Sequence, residues 1–264
     1  MKPINSKIIE KVEIEEVDIV NLIIDSFEYS TTLKSEASSF DSSKNWNDNS
    51  SILVYPTTRD KRKRVSEQEV KQVFIQKLNE FRAKNLHKRF YYSVETPTTK
   101  VYRFKDKKAK VLNNPKEGDS DYRSARTDLC IYNLSFQRLY LIEFKANNVG
   151  AKELFQDFLK LSAEWQEKII NCYFIAVVDR HDNNTINNIN KKVREAFVCL
   201  ENKYKDEIHE NASFIAYFFF YTLNEEGVSS SLCKLTFTYS FLTPSHPGCK
   251  ISSCPLIVAQ SLIQ

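Results

Sequence analysis

Three ionisable residues in two neighbouring apolar segments have types and spacings that could do chemistry together. Asp128 stands at the mouth of the apolar run 129–132, and Glu143 and Lys145 lie within a second apolar run, 139–146. Side chains alternate along a strand, so Glu143 and Lys145 should share one face while Phe144 points to the other. Charged groups beside a core are costly unless they pair or serve a site, so this placement indicates a functional site.

The chemistry that suits these residues is metal-dependent hydrolysis of a phosphodiester. Two adjacent strands would bring the carboxylates of Asp128 and Glu143 close enough to share one divalent cation. Hard oxygen ligands suit Mg²⁺, and Mn²⁺ is expected to substitute. Such a cation shields an anionic backbone and activates water. Lys145, directed at the same space, could orient that water and stabilise the developing negative charge.

The surrounding elements must position these side chains. Residues 66–69 fit a helix capping box, and apolar residues at helical spacing continue that helix to about residue 84. Further helices are expected at 151–170 and 187–205, strands at 90–104, 127–133, 139–145, 172–178, 213–221 and 234–241, and a loop at 113–119. This order predicts an α/β domain with a mixed central β-sheet flanked by helices.

The N-terminal part of the chain gives weaker signals. Residues 1–28 alternate between acidic and apolar types, which fits a short strand or an amphipathic helix equally well. Residues 29–52 are rich in Ser, Asn and Asp, which predicts a loop or connector. We therefore divide the chain into an N-terminal extension and linker, residues 1–60, and a main domain, residues 61–264.

Asp128, followed fifteen positions later by Glu143-Phe144-Lys145 at the end of an apolar strand, resembles the PD-(D/E)xK nuclease superfamily. Thr127 stands in the place of the motif's proline, and the resemblance covers about residues 66–180. It implies a restriction-endonuclease-like core. It also implies that Glu67, early in the preceding helix, completes the metal shell, with Glu69 as the second choice. The main-chain carbonyl of Phe144 would be a further metal ligand.

The resemblance also implies an activity. We expect a Mg²⁺-dependent endonuclease that hydrolyses DNA, with restriction or another genome-defence role favoured by the family. Alternatives are a structure-specific repair or recombination nuclease, an RNase, or an inactive protein of nuclease fold that binds nucleic acid or a partner.

Two further residues could support the site. Gln156 in the following helix would face the site or the substrate backbone. Arg126 would hold a phosphate or neutralise the acidic cluster.

Two basic clusters flank the segment that carries the motif. Five of the six residues at 59–64 are basic, and four lysines fall within 105–110. Each cluster alone fits a solvated loop as well as a phosphate contact. The predicted DNA contacts are Arg62, Lys63, Arg64, Lys107 and Lys108. The net charge of +4 does not by itself indicate nucleic-acid binding. Duplex cleavage usually needs two sites, which suggests a homodimer.

Cysteine usage favours a reducing compartment. The first residues lack the apolar segment of a secretory signal, and Cys130 and Cys172 lie in apolar runs where cysteine behaves as a buried hydrophobe. A cytoplasmic location is therefore expected. The spacing of Cys233, His246, Cys249 and Cys254 matches no familiar zinc module. No apolar stretch approaches the roughly 20 residues that span a bilayer, so no membrane partner is expected.

Overall fold

A computed structural model describes residues 13–32, 65–105, 108–112, 123–147, 149–166, 169–178, 182–204, 206, 208, 212–223 and 229–240. The helices are α1 (Glu16–Thr32), α2 (Glu67–Lys84), α3 (Ala151–Glu164) and α4 (Asn183–Lys203). The strands are β1 (Tyr91–Lys105), β2 (Lys108–Leu112), β3 (Arg123–Tyr132), β4 (Arg138–Ala146), β5 (Asn171–Val178), β6 (Ser213–Leu223) and β7 (Ser229–Ser240). Of these elements, β2 has no counterpart among the sequence predictions.

Within the described residues the strands form one seven-stranded sheet in the order β2-β1-β3-β4-β5-β6-β7. The pairs β1–β2, β1–β3 and β3–β4 are antiparallel. The pairs β4–β5 and β5–β6 are parallel, and β6–β7 is antiparallel. Helix α3 connects β4 to β5, and α4 connects β5 to β6. The predicted α/β class with a mixed sheet flanked by helices is confirmed.

The sheet is covered on both faces, which divides the core into two layers. One layer joins α3 and α4 to the sheet, and the other joins α1 and α2 to the opposite face. Strand β5 is buried along its whole length and alternates between them. Its Phe174 and Ala176 face the first layer, and Tyr173 and Ile175 face the second. A continuously apolar central strand is the expected result of helices on both faces.

Within the described part of residues 1–28 the helix prediction is the correct one, because the chain is helical from residue 16. Its N-terminal end is fixed to the sheet by polar contacts. The hydroxyl of Tyr140 donates to the carbonyl of Ile14 at 3.2 Å, and Nδ2 of Asn171 donates to Oε1 of Glu16 at 2.6 Å. The loop predicted from residue 29 is wrong for 29–32, which belong to α1: Tyr29 packs against the layer formed by α1 and α2, and the hydroxyl of Ser30 donates to the carbonyl of Phe27 at 2.6 Å. The predicted domain division stays a prediction, because residues 33–64 lie outside the described residues.

Two further helix bounds differ from the predicted ones. Helix α3 ends at Glu164 rather than at residue 170, because Trp165 leaves the helical conformation and Ile170 N donates to Leu139 O at 2.8 Å as β5 begins. Helix α4 begins four residues earlier than predicted. Its N-cap Asp182 accepts the main-chain N–H of Thr185 at 2.8 Å, which stabilises the first turn. The predicted loop at 113–119 lies outside the described residues.

Contacts of Glu164, the last residue of α3, attach β1 to this helix. The β1–β3 register shifts between Pro97 and Val101. Glu164 accepts the main-chain N–H groups of Thr99 and Lys100 at 2.7 and 2.9 Å, and Arg138 Nη1 lies 3.2 Å from its carboxylate. The carboxylate thus accepts hydrogen bonds from main-chain N–H groups where β1 is irregular, as expected because buried polar groups are nearly always hydrogen-bonded.

The described cysteine thiols are consistent with the sequence interpretation. Cys130 and Cys172 are free and buried in β3 and β5, and Cys199 is free and half-buried on α4. Burial raises the pKa of the Cys130 thiol to about 11. His246, Cys249 and Cys254 lie outside the described residues. None of the helices described is both long and apolar enough to cross a membrane.

Candidate active site

The site begins where β3 and β4 stop pairing. The last antiparallel partners before this point are Leu129 and Ile142, so Asp128 and Glu143 are the next residues on each strand. Oδ2 of Asp128 accepts the main-chain N–H of Phe144 at 2.8 Å. In an extended strand the N–H and C=O of one residue point the same way. The carbonyl of Phe144 is therefore directed towards the same gap between the strands.

Strand alternation in β4 separates the motif as predicted. The ring of Phe144 packs against Phe74 of α2, with centroids 5.5 Å apart, in the layer formed by α1 and α2. Glu143 and Lys145 face α3 instead. Nζ of Lys160 lies 2.6 Å from Oε1 of Glu143, and Glu143 is only 2% exposed. A carboxylate buried this completely requires a charged partner, a cation or a bound proton.

The N-terminus of α2 brings Glu67 to the same place. The two candidate glutamates of the first turn have different roles. Glu69 accepts from the main-chain N–H and the hydroxyl of Ser66 and so forms the capping box. Oε2 of Glu67 lies 3.2 Å from Nζ of Lys145. The preference for Glu67 over Glu69 as the residue near the motif therefore agrees with the geometry.

Helix α3 adds two charged residues that link the lysine of the motif to its glutamate. Asp157 lies between two ammonium groups, with Oδ2 3.3 Å from Lys145 Nζ and Oδ1 3.2 Å from Lys160 Nζ. Lys160 also donates to the carbonyl of Arg126 at 2.8 Å. The result is a chain of alternating charges. It runs through Glu143, Lys160, Asp157, Lys145 and Glu67.

A second, shorter chain of charges ends at Asp128. Nζ of Lys71, on α2, lies 3.3 Å from Oδ1 of Asp128 and 2.5 Å from Oε1 of Glu95 on β1. Val94 pairs with Leu129 and Thr96 with Thr127, so Glu95 stands opposite Asp128. The backbone of Glu95 has a φ of 49°, in the left-handed region that is unfavourable for glutamate. Such strain recurs at functional sites.

Burial and the excess of carboxylates over ammonium groups together shift the pKa values of the site. Burial raises the pKa of Glu143 well above its usual value, and the negative charge of Asp157 and Asp128 adds to the effect despite the nearby Lys160. Burial also raises the pKa of Glu67. Burial alone would lower the pKa of Lys145, but Asp157 and Glu67 raise it above the ordinary value, so its ammonium form is stabilised.

The donor set fits a hard divalent cation, although lysines separate the carboxylates. Within the part of the chain that the structure describes, no three Asp, Glu, His or Cys side chains are grouped to hold a metal ion. Two features nevertheless favour a cation. The donors around the gap are carboxylate and carbonyl oxygens, which Mg²⁺ prefers. The two charge chains also hold five carboxylates against three ammonium groups, which leaves negative charge that a cation would offset.

The structure thus brings four of the predicted site residues together. All four belong to the two charge chains, and their roles stay predictions: Asp128, Glu143, Lys145 and Glu67. Gln156 is half-buried on α3, and no hydrogen bond joins it to these four residues in the described structure. The contact expected of it is made by the next residue, Asp157.

The remaining predicted residues either take no part in the two charge chains through their side chains or lie outside the described residues. Arg126 is exposed and contributes its carbonyl to Lys160. Lys108 is the first residue of β2 and pairs in register with Lys105. The predicted DNA contacts Arg62, Lys63, Arg64 and Lys107 lie outside the described residues.

Four further site residues were not predicted: Lys71, Glu95, Asp157 and Lys160. A signal existed for Asp157, which falls within the apolar stripe formed by Leu154, Phe158 and Leu161. A charged residue in such a stripe indicates a partner in the core. Glu95 gave no comparable signal, because its placement depends on the pairing of β1 with β3.

Comparison of the chain with protein-family models, with curated proteins and with solved structures yields no match.

Proposed function

We propose that this chain is a Mg²⁺-dependent endonuclease of the PD-(D/E)xK type that hydrolyses DNA phosphodiester bonds. One observation carries the proposal: Asp128 and Glu143 occupy neighbouring positions just beyond the last β3–β4 pair. Lys145 follows two residues later on β4 and lies on the same face as Glu143. The order of the elements supports it, because Glu67 on α2, Asp128 on β3, and Glu143 and Lys145 on β4 follow one another as the resemblance implies.

Asp128, Glu143 and the carbonyl of Phe144 would hold the cation, and Glu67 would complete the set. When bound, the cation would supply charge neutralisation at the phosphate and acidify a water molecule. Lys145 would donate hydrogen bonds from Nζ to the attacking water and to the negatively charged phosphate oxygens. Asp157 and Glu67, at 3.3 and 3.2 Å, would hold that ammonium group in position.

DNA is proposed as the substrate on the resemblance and on the basic clusters at 59–64 and 105–110. Restriction or another genome-defence role, and a homodimer that cuts both strands, belong to the same proposal. Repair and recombination nucleases and RNases would use the same chemistry, so the choice among them depends on the substrate that is cut.

The test is cleavage of supercoiled plasmid, linear duplex, single-stranded DNA and RNA by the purified chain, with Mg²⁺ or Mn²⁺ and with chelator. We expect cleavage of DNA only with metal, and none by Lys145→Ala. Lys152→Ala is the matched control, because Lys152 is an exposed residue of α3 outside the charge chains. Binding of DNA without cleavage in either metal would overturn the enzymatic proposal. Cleavage by Lys145→Ala at the wild-type rate would overturn the site assignment.

A further inference from the structure

The two charge chains of the site have a simple balance. The longer one joins the carboxylates of Glu143, Asp157 and Glu67 through the ammonium groups of Lys160 and Lys145. The shorter one joins the carboxylates of Glu95 and Asp128 through Lys71. Each chain therefore contains one more carboxylate than ammonium group. With every carboxylate ionised, the form that a bound cation would favour, each has a formal charge of −1.

The two chains meet at the proposed cation ligands. Asp128 ends the shorter charge chain and Glu143 ends the longer one. The two residues lie on neighbouring strands, each directly beyond the last β3–β4 pair, Leu129 and Ile142. A single divalent cation at this junction would therefore neutralise both chains. A second divalent cation would leave an excess of two positive charges among the same groups.

Lys160 and Lys71 are built into the site rather than loosely associated with it. An ammonium group has three donors. Those of Lys160 have three acceptors nearby, namely Glu143 at 2.6 Å, Asp157 at 3.2 Å and the carbonyl of Arg126 at 2.8 Å. Lys71 is 5% exposed and lies between two carboxylates. Glu143 and Asp128 thus each have one oxygen close to a buried lysine.

We infer that each protein molecule binds one divalent cation at this site. Lys160 at Glu143 and Lys71 at Asp128 supply the positive charge that a second cation would otherwise provide. The inference rests on the proposed function, because it concerns the cation of that site. It assigns Lys160 and Lys71 as positioning residues, which act through the carboxylates that they contact.

The experiment is a titration of the full chain with Mn²⁺ alone, with free Mn²⁺ followed by its electron paramagnetic resonance signal. We expect one equivalent bound by the wild-type chain. Lys160→Met removes one positive charge and releases Oε1 of Glu143, so we expect it to bind a second equivalent. Lys152→Met makes the same change at an exposed position of α3 and should bind one equivalent. Thermal unfolding followed by circular dichroism would verify that each variant is folded.

Lys71→Met provides an independent arm if Lys160→Met does not fold, and it should also gain an equivalent, at Asp128. Two equivalents bound by the wild-type chain would overturn this inference and leave the proposed metal-dependent nuclease intact. No Mn²⁺ bound by the wild-type chain would overturn the proposed function as well. A Lys160→Met or Lys71→Met variant that is folded and still binds one equivalent would show that these lysines do not limit the number of cations.

Discussion

The carboxylate of Asp128 accepts the main-chain N–H of Phe144 at 2.8 Å, immediately beyond the last paired residues of β3 and β4. The side chain thus replaces a backbone acceptor of the interrupted ladder. This bond uses Oδ2, while Oδ1 lies 3.3 Å from Lys71. The orientation of Asp128 is therefore set by two contacts that do not themselves require a cation.

This arrangement allows the charge of Asp128 to be separated from its structural role. Asparagine can still accept the N–H of Phe144 through its amide oxygen, but it is neutral. We expect Asp128→Asn to remain folded and to lose cleavage by at least about a hundredfold, the scale on which one preorganised electrostatic group contributes. Plasmid nicking rates and thermal unfolding curves would measure both effects. An Asp128→Asn variant that nicks plasmid as fast as Lys152→Ala would contradict the assignment.

The main parts of the site follow from local sequence rules. Alternation in β4 predicts that Glu143 and Lys145 share a face, and the capping box predicts which glutamate of α2 is occupied by Ser66. The division of the core into two layers follows from the continuously apolar sequence of β5, which predicts helices on both faces of the sheet. These features depend on residues close together in the chain, so the amino-acid sequence is sufficient to predict them.

The charge chains could not be predicted in the same way. Asp157 and Lys160 are three positions apart on α3, where such pairs are commonly solvated. Their contacts with Lys145 and Glu143 depend on how α3 lies over the end of β4. The contact between Lys71 and Glu95 joins residues 24 positions apart, at a point where the backbone of Glu95 is left-handed. Only the tertiary arrangement determines these contacts.

Glu164 should be among the residues that contribute most to stability. Its carboxylate is fully buried and accepts from Thr99, Lys100, Tyr102 and Arg138. Glu164→Ala would leave these donors without their acceptor. We expect the free energy of unfolding to fall by about 3–5 kcal/mol, the usual cost of removing one partner of a buried ion pair. Urea unfolding would measure it.

The matched control for Glu164 is Glu195→Ala, because the side chain of Glu195 is 59% exposed on α4. Exposed substitutions usually change stability by less than about 0.5 kcal/mol. A loss at Glu164 no larger than the loss at Glu195 would show that the contacts at the β1 irregularity are not important for stability.

Asn147 connects the end of β4 to the start of α2. Its Nδ2 donates to the carbonyl of Val65 at 2.9 Å, its N–H donates to Val177 O at 2.7 Å, and its φ is 66°. Glycine would keep the left-handed backbone and lose only the side-chain bond. Alanine would lose that bond and add backbone strain, so Asn147→Ala should be less stable than Asn147→Gly by about 1–2 kcal/mol. Urea unfolding of both variants gives the difference, and equal stabilities would exclude a role for backbone conformation here.

Glu143 gives a prediction about pH, because its pKa in the folded chain is raised well above the usual value by burial and by Asp157. In the unfolded chain a glutamate loses its proton near its ordinary pKa, about 4.3. Between that pH and the raised pKa, the folded chain binds more protons than the unfolded chain. The contribution of this group to stability therefore falls as the pH rises through this interval.

Glu143→Gln has no such proton to lose, and glutamine can still accept from Lys160 through its amide oxygen. We therefore expect this variant to become more stable relative to wild type as the pH rises from about 5 to 8, in the presence of chelator. Glu195→Gln, changed at an exposed position, should keep a constant difference from wild type. A stability gap for Glu143→Gln that is flat or narrows with pH would contradict the raised pKa. Because a bound cation would favour the ionised carboxylate, added Mn²⁺ should stabilise the wild-type chain more than Glu143→Gln.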